Sequence, residues 1–330
     1  MNRRYLMFGA AVAAGCWMAP GASMAQPSIR DRVAAPTVAD RGTPLYTFSS
    51  FLISSTDGLR RYWVQVGIPR RAPPAAGYPV IYMLDGNAAM ADLTEQALIE
   101  IDRLSPPVLV AIGYDTRARN DVLARAYDYT PPVIRDGLPI TPVVRGRLGG
   151  GADIFAGFIE REIKPRVAQA ARIDTSRQTL WGHSYGGLFT LHTFANHTGL
   201  YQRYAAGDPS LWFHDGVLAD RLAAFPPERG AGRVVRIMSG VGRTARAPAA
   251  TPAPAAAAPP PAPAAPPAPA ANRLADTTTG RTAPPGLLRA ITDRLAKGGV
   301  DITYQEFPGL NHGQMLAASL TPALRLAASG

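Results

Sequence analysis

The run Leu180-Trp181-Gly182-His183-Ser184-Tyr185-Gly186-Gly187 constrains this chain more than any other stretch of it. Its serine stands two residues after one glycine and two before another. Residues 177–181 before it are short and apolar-leaning, and residues 187–194 after it have helical spacing, with Leu188, Leu191 and Ala195 on one face. Together they read as a sharp strand-to-helix turn that lifts a serine hydroxyl off the end of a sheet. Glycines flank it because a Cβ there would strike the neighbouring strand and helix. An elbow of this kind needs a buried strand before it and a helix packed behind it.

The rest of the chain supplies both. Residues 79–84 and 108–112 are continuous apolar runs, ending in Asp85-Gly86-Asn87 and Gly113-Tyr114, and suit strands buried on both faces of a parallel sheet. Residues 45–53 and 60–68 alternate as an opening antiparallel pair around a turn at 54–58. Further strands are expected at 204–207, 234–238 and 302–307, and helices at 88–104, 153–170 and 287–297. The 153–170 pattern is the clearest amphipathic one. Ile154, Phe155, Phe158, Ile159, Ile163 and Val167 form its apolar face, Asp153 is its expected N-cap, and Pro165 is expected to kink or break its last turns. Strand, helix, strand, helix implies an α/β fold with a mostly parallel central sheet and helices on both faces.

Residues 1–25 read as an export signal: Arg3 and Arg4, an apolar stretch from 5 to 14, and Ser23-Met24-Ala25 as a cleavage site before Gln26. The reading makes the protein periplasmic or secreted. The stretch is too short for a lasting membrane span. Arg3-Arg4-Tyr5-Leu6-Met7 also resembles a twin-arginine signal. Ala13-Ala14-Gly15-Cys16 loosely resembles a lipoprotein box, but Ala13 sits where a larger aliphatic is usual, which counts against a lipid anchor. Cys16 is the single cysteine, so cleavage at Ala25 removes every thiol, and with it disulfides and cysteine catalysis. Residues 26–44 show no periodicity and are expected to be a flexible lead-in to a hydrolase domain over 45–330. That domain is interrupted at 245–271 by an almost pure Ala/Pro insert, too poor in apolar bulk to supply a core. The formal charge is +10, and +8 without Arg3 and Arg4. No cluster pairs the arginines with stacking aromatics, so nucleic acid is not an expected partner.

A serine hydroxyl becomes a competent nucleophile when a base takes its proton. Of five histidines, His183 is expected to pack in the elbow, pointing away from Ser184, and His192 and His197 to lie on or just past the helix. His312, in Asn311-His312-Gly313 after the last strand, is the expected base. The oxyanion donors are expected to be the backbone N–H of Tyr185 and that of Gly86 or Asn87. The acid is open. An acid is expected after the 234–238 strand, but Ser239-Gly240-Val241-Gly242-Arg243 contains none. Asp208 could reach His312 from the preceding strand, Asp276 could fold back from beyond the insert, or His312 could be held by a backbone carbonyl as a Ser-His dyad.

These motifs, with Asp208-Pro209-Ser210-Leu211-Trp212 and Arg125-Ala126-Tyr127-Asp128-Tyr129-Thr130-Pro131-Pro132, resemble the esterase D-like family of α/β hydrolases, from about Tyr46 to about Leu316. The branch that looks nearest is that of periplasmic esterases cutting the trilactone of catecholate siderophores. The resemblance implies an acyl-enzyme on Ser184, His312 as base, no metal or organic cofactor, and a small-molecule ester as partner. The family often carries a glutamate after the penultimate strand, and this chain departs from that. Arg125, with Arg119, could recognise an anionic aromatic acyl group; alternatively Arg125 and Asp128 could bond each other to hold a loop. Trp212 is a candidate pocket wall. A broad carboxylesterase, an acyltransferase of the same fold, and a non-catalytic binding protein on a hydrolase fold stand as alternatives.

Overall fold

The computed structural model describes residues 36–242 and 286–330, so the expected signal, the 245–271 insert and Asp276 lie outside the described residues. In chain order the strands are β1 (Tyr46–Ser54), β2 (Arg61–Pro69), β3 (Tyr78–Leu84), β4 (Val108–Tyr114), β5 (Val133–Arg135), β6 (Leu138–Ile140), β7 (Val143–Val144), β8 (Arg147–Leu148), β9 (Ile173–His183), β10 (Arg203–Gly207), β11 (Val234–Val241) and β12 (Asp301–Pro308). Eight of them form one sheet in the order β1-β2-β4-β3-β9-β10-β11-β12. The pairs β1–β2 and β2–β4 are antiparallel, and every later pair is parallel. β3 and β4 are buried at every position, as their unbroken apolar runs require.

The helices are α1 (Val38–Arg41), α2 (Gly86–Asp92), α3 (Glu95–Asp102), α4 (Ala124–Tyr129), α5 (Ala152–Phe158), α6 (Lys164–Ala170), α7 (Tyr185–Asn196), α8 (Val217–Ala224), α9 (Leu287–Lys297) and α10 (Met315–Ala328). Two apolar clusters form. One packs α5, α7, α8 and α9 against β2, β3, β4, β9, β10, β11 and β12; the other packs α2, α3 and α10 against β3, β4, β9, β10 and β11. β11 pairs with β12 over eight positions, from Val234↔Asp301 to Val241↔Pro308, although the Ala/Pro run lies between them in sequence. Among the described residues no helix is long and apolar enough to cross a membrane.

Several expectations need correction. The described part of the lead-in, residues 36–44, is not featureless: Thr37 and Asp40 form a capping box on α1, and Val38 is buried. The helix expected over 88–104 is two, because Leu93 turns extended and Thr94 caps α3 through Ala97 N. The helix expected over 153–170 contains a π-helical turn at Ile159–Ile163 between α5 and α6. A proline cannot donate to the carbonyl four residues back, and the wider turn ahead of Pro165 absorbs that loss where a kink or a break of the last turns was expected. Asp153 lies inside the first turn of α5, whose N-cap is Gly151, and Ile154 is 55% exposed instead of joining the apolar face. Two small hairpins, β5–β6 and β7–β8, have no counterpart in the sequence reading.

Candidate active site

Ser184 sits between β9 and α7 at φ 60°, ψ −116°, a conformation that L-residues rarely adopt. Backbone bonds hold it there: Ser184 N donates to Gly207 O at 2.9 Å, and Leu188 N and Ser210 N donate to Ser184 O at 2.9 and 3.1 Å. The glycines are required by contact. A Cβ on Gly182 would lie 2.4 Å from the carbonyl carbon of Gly186, and one on Gly187 would lie 3.0 Å from Gly207 O. The turn is therefore too tight for side chains on either flank.

His312 reaches this turn from the loop after β12. Its Nε2 is 3.0 Å from Ser184 Oγ and its Nδ1 is 2.6 Å from Asp208 Oδ2. Asp208 follows β10, next to β9, with positive φ (41°) and its amide donating to Met238 O at 2.6 Å. Of the three options open in the sequence, the described residues bring Asp208 to His312. With Nδ1–H donated to the carboxylate, Nε2 is left to accept from the serine hydroxyl. Among the described residues no backbone carbonyl bonds to this imidazole. Instead the carbonyl of His312 itself accepts from His183 Nε2 at 2.8 Å, and the two rings lie 4.8 Å apart. His183 therefore grips the loop that carries His312. Burial, then the neighbouring His312, lowers its pKa to about 3, so the ring is neutral.

The Asp85-Gly86-Asn87 segment opens α2 beside the elbow. As the first two residues of a helix, Gly86 and Asn87 present amides with no partner inside it. The Asn87 side chain is committed elsewhere: Nδ2 donates to Tyr114 O and Thr116 O at 3.1 and 2.9 Å, and Oδ1 accepts from Tyr114 N at 2.9 Å. That clamp ties the start of α2 to β4. A Cβ on Gly86 would lie 2.6 Å from the β4 backbone, so this approach too depends on glycine.

A cleft of about 480 Å³ opens over Ser184 and His312, lined also by Arg119, Asn120, Arg125 and Arg147. Two of these arginines are already paired. Arg125 forms a two-pronged bond to Asp85, at 2.8 and 2.7 Å, and Arg119 is 2.7 Å from Asp92. The expected Arg125–Asp128 bond does not form; Asp128 is buried beneath Arg60 and accepts from the hydroxyls of Tyr62 and Tyr114. Trp212 is outside the cleft lining. It packs 5.8 Å from the Tyr185 ring, beneath the Arg145 guanidinium at 4.6 Å.

Three residues were missed from sequence. The guanidinium of Arg147, on the β7–β8 hairpin, has no polar partner among the described residues. The Asn120 side-chain oxygen is buried without one. Ser210 Oγ, buried, is 3.2 Å from Ser184 Oγ. Asp208-Pro209-Ser210 is a visible motif of the sequence, but only the fold brings its serine to the nucleophile.

Residues 55–261 match the family described as "Putative esterase". The apo-salmochelin esterase of Escherichia coli O6:H1 is 34% identical over 89% of this chain and 83% of its own. The ferri-bacillibactin esterase BesA of Bacillus subtilis strain 168 is 40% identical over 48% of this chain and 57% of its own. Among solved structures, the enterobactin hydrolase IroE in complex with DFP superposes with a TM-score of 0.68 at 30% identity. The match covers 88% of this chain and 98% of that one.

Proposed function

This chain belongs to the putative esterase family of α/β hydrolases, and from that premise we propose that it is an exported serine esterase of siderophore lactones. The observation that carries the mechanism is the chain of contacts from Ser184 Oγ through His312 Nε2 and Nδ1 to Asp208 Oδ2. Ser184 attacks the ester carbonyl as His312 takes its proton, and Asp208 steadies the resulting imidazolium. The tetrahedral oxyanion lies against the amides of Tyr185 and of Gly86 or Asn87. Donors so placed contribute about 2.7–4 kcal/mol each. His312 then returns the proton to the leaving alkoxide, and water, activated by the same base, clears the acyl-enzyme.

The substrate class rests on the siderophore relatives and on the cleft. Arg147 offers a cation whose charge no carboxylate among the described residues offsets, which suits an anionic acyl group such as a catecholate. Export rests on residues 1–25. The domain is one hydrolase body, with the Ala/Pro run an insertion into it.

Fluorophosphonate labelling of the purified full chain tests the mechanism, beside Ser184→Ala and His312→Ala. Turnover of a catecholate trilactone and of p-nitrophenyl butyrate tests the substrate. Labelling that disappears with Ser184→Ala, and higher kcat/KM on the trilactone, are the expected results. A folded wild type that neither labels nor turns over either ester sinks the enzyme reading.

A further inference from the structure

Away from Ser184, two imidazoles converge on one carboxylate oxygen. His192, near the end of α7, and His197, its C-cap, each place Nε2 2.7 Å from Oδ1 of Asp153 on α5. The candidate ligand atoms of all three side chains lie within 4.8 Å of one another. His192 is fully buried, whereas the side chains of His197 and Asp153 are 35% and 41% exposed. The cluster is thus anchored in the core and open to solvent on its carboxylate side. It lies eight residues along α7 from the elbow, about 12 Å of helix rise, so it is separate from the site of ester cleavage.

In this arrangement one oxygen accepts two N–H donors, which fixes both rings as the Nε2–H tautomer. Two imidazoles and a carboxylate converging from two helices, with a side open to water, are the donor set of a three-ligand zinc site whose fourth ligand is water.

We propose that Asp153, His192 and His197 bind one Zn²⁺ ion that ties α5 to the end of α7. Each ring moves its proton from Nε2 to Nδ1, so neither ring gains or loses charge. For His192, the Asn196 side-chain amide, 3.4 Å from Nδ1, turns its oxygen to accept that proton. The ligand contacts open from 2.7 Å to roughly 3.3 Å, the edge of a tetrahedron with zinc–ligand bonds of about 2.0 Å. The half-buried His197 and the more exposed Asp153 side chain can make that small movement.

The test is calorimetric titration of ZnCl₂ into chelator-stripped full chain, with cobalt absorption and thermal melting alongside. The protein carries His312→Ala, because His183, Asp208 and His312 are a second group that could take an ion. Expected are one saturable Zn²⁺ per chain, a raised Tm, and visible cobalt bands of a four-coordinate site, all lost when His197→Gln is added. His197→Gln alone leaves ester hydrolysis unchanged. No saturable binding, or equal binding with and without His197→Gln, overturns the proposal and leaves a hydrogen-bonded cluster only.

Discussion

Asp208 is the residue on which the reading of this site turns. Its carboxylate sits 2.6 Å from His312 Nδ1, and in a working triad this contact selects the tautomer that can accept from serine. Asp208→Asn is therefore expected to lower kcat by about two to four orders of magnitude with KM little changed. A drop of only a few-fold would mean that the enzyme works as a dyad. Ser184 and His312 were legible because each sits in a local motif, a glycine-flanked serine and an Asn-His-Gly after the last strand. Asp208 stayed one option of three, since its partner lies 104 residues away and only the order of β10 beside β9 brings the two loops together. For Arg125 the sequence was misleading: a nearby Asp128 looked like its partner, but the real one, Asp85, is 40 residues distant.

At the scale of elements, the elbow and the β7–β8 hairpin make separate demands. The elbow has no spare volume, so Gly182→Ala forces Cβ to within 2.4 Å of the Gly186 backbone. Overpacking of this kind costs about 1–3 kcal/mol. The variant should melt lower and lose most of its labelling by fluorophosphonate; a fully active, fully stable Gly182→Ala would mean the turn is looser than described. The hairpin instead governs binding. If Arg147 meets the anionic part of the substrate, Arg147→Ala should raise KM for an anionic ester about tenfold, in line with a hydrogen bond to a charged group. Hydrolysis of a neutral ester should not change, and equal losses on both would deny Arg147 this role. The long strands and α9 could be read from periodicity over many residues. The hairpins could not, because strands of two or three residues carry too little pattern, and their Asp136-Gly137 and Arg145-Gly146 turns, with positive φ at both positions, were not recognised as turn signals.

At the scale of the whole molecule, His183 is expected to couple stability to pH. Its folded pKa is lowered to about 3, against about 6.5 in the unfolded chain. Between those values the unfolded chain holds a proton that the folded one does not, so this stability is full above pH 6.5 and is lost as the pH falls. The shift corresponds to on the order of 5 kcal/mol. Denaturant unfolding at pH 7 and pH 4 should show a smaller acid loss in His183→Gln, whose amide can still donate to the His312 carbonyl, than in wild type; identical losses would dismiss the idea. At this scale the sequence was informative about class and strand succession, because buried parallel strands leave long apolar runs. It was less informative about the ends of strands, where tertiary contact decides.

One such end has a further consequence. A Cβ on Gly240 or Gly242, at the end of β11 and just after it, would lie 2.5 or 2.6 Å from Leu310 O, on the loop that carries His312. Where the family often keeps its carboxylate, the chain has let the base loop settle directly onto bare backbone. A glutamate grafted at 240 would press its Cβ against Leu310 O and so push on the loop that carries the very histidine it was meant to serve.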